Sequence, residues 1–168
     1  MSLSTNEYHP YYGNYIALSS KGSLLEELKL GATEFQDFVS SIPGDKMNYS
    51  YELGKWTIAE LLLHLIDAER VFQHRAFRFA RNDKTPLPGF EQDDYVPETT
   101  AEMRTKEAIL DEFEAVRNSS IQLFSSFNDD TLKRMGKASG SPMSVRALGR
   151  VICGHQIHHF DIIRKRYL

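Results

Sequence analysis

The stretch Leu148-Gly149-Arg150-Val151-Ile152-Cys153-Gly154-His155-Gln156-Ile157-His158-His159-Phe160-Asp161-Ile162-Ile163 repeats its apolar positions at steps of three and four. That is the period of one face of an α-helix, not the period of two that marks a strand. Leu148, Ile152, His155, His159 and Ile162 or Ile163 fall on this face, so two imidazoles stand where core side chains are expected. Ser144 precedes the stretch as a candidate N-cap, and Arg164, Lys165 and Arg166 close it where cations complement the helix dipole. The spacing predicts a helix over about 144–166.

Three further segments carry the same period. Leu24 to Ile42 follows Ser23, with Glu26 three residues on in capping-box spacing, and Pro43-Gly44 ends it. Thr57 and Glu60 repeat that spacing ahead of Ile58, Leu61, Leu62, Leu65, Ala68, Phe72, Ala76 and Phe79, predicting a helix over about 57–81. Thr99 and Glu102 form a third such pair, before Ala108, Ile109, Phe113, Val116, Leu123, Phe124 and Phe127, predicting a helix over about 99–127. No alternating apolar and polar run is long enough for a sheet. The expectation is an all-α fold, a four-helix bundle in one domain over 1–168, with residues 1–22 as an N-terminal extension.

A chain of 168 residues, 41% hydrophobic and 26% charged, is long enough for one sizeable core. Its formal charge of −3 gives no general attraction to nucleic acid or to anionic membranes. Even the apolar run from Ile58 to Ile66 is interrupted by Glu60 and His64, so no membrane span is expected. The single cysteine, Cys153, has no internal partner, and the polar start lacks the features of a signal peptide, so a reducing, cytoplasmic setting is expected.

His155 and His159 are one helical turn apart, with β-carbons about 6 Å from each other, the spacing at which two imidazoles converge on one ion. His64 lies three residues after Leu61 and four before Ala68, so it faces the same core from the second helix. Three buried imidazoles without partners are costly, whereas one divalent cation satisfies all three together. The alternative is that each is a core histidine bonded to a neighbouring side chain or to backbone. Three neutral imidazoles suit zinc, nickel or another late first-row metal and leave a position open for water or substrate. Glu60, Asp67 and the flanking His158 are candidates to support the ligands or a bound water. Trp56, together with Phe90 and Tyr95 from the aperiodic, proline-rich stretch 82–97, are candidate pocket walls. Cys153 lies about 200° round the helix from His155, as a buried apolar residue rather than a nucleophile.

Two blocks, Lys55-Trp56-Thr57-Ile58-Ala59-Glu60-Leu61-Leu62-Leu63-His64-Leu65-Ile66-Asp67 and Gly154-His155-Gln156-Ile157-His158-His159, resemble the DinB/YfiT-like metalloenzymes. The resemblance extends to Ser144-Val145-Arg146-Ala147, Asp83 to Phe90 and Arg166-Tyr167, so it runs from Tyr15 to the end, with the first helix matching by pattern only. It implies a four-helix bundle, commonly a homodimer, with the metal on His64, His155 and His159. It also implies transferase or isomerase chemistry with a low-molecular-weight thiol such as bacillithiol, mycothiol or glutathione, acting on a small electrophilic substrate. Hydrolysis of a small ester or amide at the same metal is a second reading, and a non-catalytic metal-binding stress-response bundle a third.

Overall fold

The computed structural model of the chain describes residues 3–19 and 22–168. A short helix α1 (Gly13–Leu18) precedes α2 (Leu24–Ser41), α3 (Ile58–Ala80), a single turn α4 (Gln92–Tyr95) and α5 (Lys106–Ser125). Another single turn, α6 (Asp129–Leu132), leads into a hairpin of β1 (Met135–Ala138) and β2 (Ser141–Ser144), and α7 (Val145–Arg166) ends the chain. The four long helices are those the apolar period indicates. α2 packs on α5 and α7, and α3 packs on the same two, so the ring runs α2, α5, α3, α7. Consecutive helices α2 and α3 therefore lie on a diagonal, while α3 and α7, the two histidine-bearing helices, are neighbours.

Local chemistry explains the starts of three helices. Ser23, Thr57 and Ser144 each accept a hydrogen bond from the backbone three residues on, and Glu26 and Glu60 complete the boxes at Ser23 and Thr57. The expected start of the third long helix is corrected. Thr99 and Glu102 belong to two short 3-10 turns, Val96–Thr99 and Ala101–Met103, split by Thr100 at φ 49. A left-handed residue cannot continue a right-handed helix. Thr105, bonded through its hydroxyl to the Ala108 N–H at 3.1 Å, caps α5 instead.

The hairpin adds strand to the expected all-α bundle. Its Ser139-Gly140 turn has φ of 49 and 77, the signs of a type I′ connection. Gly136 lets β1 lie against Phe79 of α3, since a Cβ there would stand 2.0 Å from the ring. Leu87 bonds to Lys137 and Ser139 through backbone, which ties the 82–97 stretch to the hairpin.

The N-terminal extension is also structured. α1 packs along α7, with Gly154 of α7 allowing the approach: a Cβ there would stand 1.8 Å from the Tyr15 carbonyl oxygen. Residues 1, 2, 20 and 21 of the expected extension lie outside the described residues.

Two apolar clusters fill the bundle. One gathers Phe35, Val39, Leu62, Ile109, Phe113, Phe160 and Ile163, with Phe35 and Phe113 stacked 3.5 Å apart. The other gathers Leu28, Ala68, Phe72, Phe79, Phe124, Leu148 and Ile152. Along α7, His155 and His159 fall between Cys153 of the second cluster and Phe160 of the first, whereas His64 on α3 stands among Leu61, Leu62, Leu65 and Ile66 of the first. A buried polar group gathers around Arg117. The Arg117 guanidinium donates to both carboxylate oxygens of Glu69 at 2.8 Å and to the side-chain Oε1 of Gln156 at 2.8 Å, and the Gln156 Nε2 donates to the Gly31 backbone carbonyl. Burial disfavours the Arg117 charge, but Glu69 outweighs it and the guanidinium is held charged.

Candidate metal centre

His64 occupies mid-α3, and His155 and His159 occupy adjacent turns of mid-α7, so the contact of these two helices brings the three imidazoles together. All three are buried, and one ring nitrogen of each lies within 4.8 Å of the others. The His155 Nε2 stands 3.2 Å from the His64 Nε2 and 3.0 Å from the His159 Nε2. The His155 ring meets those of His64 and His159 edge to face, at 81° and 84°.

Burial lowers the pKa of His64 from 6.5 to about 4, with Asp93 opposing, and that of His159 to about 3, with His64 and His158 adding to the effect. His155 is also held well below the usual 6.5, by burial first and then by its three histidine neighbours. At neutral pH all three are therefore uncharged, the form in which imidazole binds a metal. Two imidazole nitrogens bound to zinc at about 2.05 Å in a tetrahedron stand roughly 3.3 Å apart, close to the separations here. Neutral imidazoles alone pair poorly in this arrangement. Whichever His159 tautomer is present, its buried Nδ1 has no protein partner among the described residues, and its Nε2 faces another ring nitrogen. The donor set and its spacing fit a divalent cation.

The candidate supporting residues are placed less uniformly. Glu60 accepts from the Thr57 N–H at 2.7 Å and is occupied in the helix cap. Asp67 accepts from Arg70 at 3.1 Å. The hydrogen bonds of both carboxylates thus lead away from the imidazoles. His158 is half-buried beside His159 and Tyr15, at 5.1 and 5.2 Å between ring centres. The Cys153 thiol is pushed up to about 12, chiefly by burial, which makes it an inert core group.

A cavity of about 220 Å³ opens on His64 and His155 and is walled by Tyr12, Tyr15, Phe72 and Phe90. Phe90 is thus a wall, as its position in the 82–97 stretch indicates, while Tyr95 packs on Phe90 at 5.4 Å and Trp56 packs on His64 at 4.9 Å without lining the cavity. Sequence reading missed Tyr12 and Tyr15. Tyr15 lies 5.2 Å from the His155 ring, and its phenol is pushed up to about 12 by burial and by Tyr11 and Tyr12, so it is present as the neutral hydroxyl. The tyrosine density of Tyr8-His9-Pro10-Tyr11-Tyr12-Gly13-Asn14-Tyr15 was the available signal.

The DinB superfamily profile matches residues 27–163, which include both histidine-bearing helices up to Ile163. The chain belongs to the DinB superfamily. Among solved structures, this DinB protein is similar to YfiT from Bacillus subtilis, described as "a probable metal-dependent hydrolase with an unusual four-helix bundle topology", at TM-score 0.70 and 14% identity over 98% of this chain and 90% of that one. It is also similar to a mycothiol-dependent maleylpyruvate isomerase at TM-score 0.68 and 13% identity, over 82% of this chain and 58% of that one. At these identities the likeness concerns the fold, and it agrees with the bundle. No curated protein matches the sequence. No described helix is long and apolar enough to cross a membrane.

Proposed function

We propose that this DinB protein is a metal-dependent enzyme in which His64, His155 and His159 hold one divalent ion, zinc or nickel, and which transfers a low-molecular-weight thiol to a small electrophile. The observation that carries the reading is the convergence of three neutral, buried imidazole nitrogens beside a cavity. A cation there is a Lewis acid that lowers the pKa of a thiol or water bound to it. The chain's own part is positional. Tyr12, Tyr15, Phe72 and Phe90 wall the cavity with aromatic surface that limits water and orients a planar group. The inert Cys153 leaves the thiol to be supplied by a cofactor.

The mycothiol dependence of the isomerase favours the thiol reading, whereas the likeness to YfiT, a probable metal-dependent hydrolase, favours hydrolysis of a small ester or amide. A hydrolase needs a base for its water. Glu91 is the carboxylate that lines the cavity with His64 and His155. Turnover of an electrophile by the metal-loaded protein, with and without bacillithiol, mycothiol or glutathione, separates the two. Thiol-dependent consumption supports transfer, and thiol-independent release of acid supports hydrolysis. Binding of metal without either turnover supports the stress-response bundle.

A further inference from the structure

Arg75 projects from α3 about three turns beyond His64 and is only 2% exposed. Its Nη2 donates to the Pro88 carbonyl and to the Ser139 hydroxyl oxygen, each at 3.0 Å. The guanidinium stands 6.0 Å from the Phe72 ring centre and 5.9 Å from that of Phe90, and it interacts favourably with the Tyr12 hydroxyl. All of these partners are neutral. Arg117, Arg146 and Arg150, the other well-covered arginines that make ion pairs, have Glu69, Glu7 and Glu27. Among the described residues no carboxylate lies within ion-pair distance of Arg75. A buried cation with neutral partners only is unfavourable, and an arriving anion relieves it.

Tyr12, Phe72, Phe90 and Ser139 all line the cavity that His64 and His155 border. Ser139 accepts from Arg75 through its oxygen, so its own O–H is left to donate. The type I′ turn that sets Ser139 at φ 49 fixes where this hydroxyl stands. We propose that Ser139 and Tyr12, charged from behind by Arg75, form a carboxylate-binding subsite, and that the ligand is a small monocarboxylic acid with a planar apolar body. Aromatic walls on the same cavity fit the planar body. Glu91 lines the cavity as well, so a second negative charge on the ligand meets a carboxylate and a monoacid is preferred to a diacid. The subsite deepens the metalloenzyme reading, which decides only that the far end of the acid reacts beside the histidines.

The test is calorimetric titration of the metal-loaded full chain with benzoate and with its neutral counterpart benzamide, with metal content measured on every sample. Benzoate is expected to bind at least about tenfold more tightly than benzamide. Arg75→Met removes that preference while keeping the metal, and Arg75→Lys restores part of it. Should Arg75→Met fail to fold, Ser139→Ala combined with Tyr12→Phe carries the same expectation. Equal binding of the two probes by the wild type overturns the subsite. So does benzoate binding that survives Arg75→Met but is lost in His155→Ala, because the carboxylate then goes to the histidines. A chain that takes up no metal contradicts the metalloenzyme reading and leaves the benzoate preference to be scored by itself.

Discussion

The Nε2 atoms of His64 and His155 stand 3.2 Å apart across 91 residues of sequence, both buried and both uncharged at neutral pH. Two uncharged nitrogens at this separation share at most one proton, and His159 adds a third nitrogen 3.0 Å from His155. A cation at the shared point turns this poorly paired arrangement into a strong one.

Removing that cation is expected to leave the bundle folded, because the two apolar clusters that fill it contain none of the histidines and form without the ion. Chelator-treated protein keeps its far-ultraviolet dichroism and melts at a lower temperature than metal-loaded protein, by mass action. Loss of helix on chelation would instead mark a structural site of the kind that folds only with its metal.

Glu69→Ala leaves the Arg117 guanidinium buried without its counter-charge, at an expected cost of about 3–5 kcal/mol. Replacing both, as Glu69→Leu with Arg117→Met, is expected to recover most of that loss, since apolar pairs of similar volume substitute well for buried ion pairs. Urea unfolding of the two variants checks this. A double variant no more stable than Glu69→Ala would place the value of the network in Gln156 and Gly31 rather than in the ion pair.

Gly154→Ala forces a methyl into the Tyr15 carbonyl and is expected to lift α1 from α7, costing about 1–3 kcal/mol. Limited proteolysis reads the result directly. Cleavage within residues 3–19 rises while α2 to α7 stay resistant, and unchanged protection would mean that α1 shifts without detaching.

Acid is expected to release the same segment first. Glu7 bonds Arg146, and this pairing holds its carboxyl below the usual 4.5 despite burial. A lowered folded-state pKa contributes stability above the unfolded value, and that contribution is lost as pH falls from about 4.5 through the lower folded value. Tyrosine fluorescence followed from pH 6 to pH 3 reads the release, and Glu7→Gln, which does not titrate, flattens that transition.

The histidine cluster was legible because its parts obey local periods. His155 and His159 share a helical face by spacing alone, and His64 continues the stripe of Leu61 and Ala68. Arg75, Tyr12 and Ser139 were not legible, because they meet across α3, the 3-10 turn Pro10–Tyr12 and the hairpin turn with no shared period. The hairpin escaped notice because its strands hold four residues each and carry Gly136 and Pro142. The start of α5 was misplaced because Thr99 and Thr105 both sit ahead of the apolar stripe, and only the left-handed Thr100 decides between them.

Metal content of untagged, unchelated protein, measured by mass spectrometry alongside His64→Ala and His159→Ala, tests the central claim most directly. The expected result is about one equivalent of zinc or nickel in the wild type and loss of most of it in both variants, with helical dichroism retained. Wild-type protein that stays metal-free after incubation with zinc and with nickel would contradict it, and the three histidines would then be core residues.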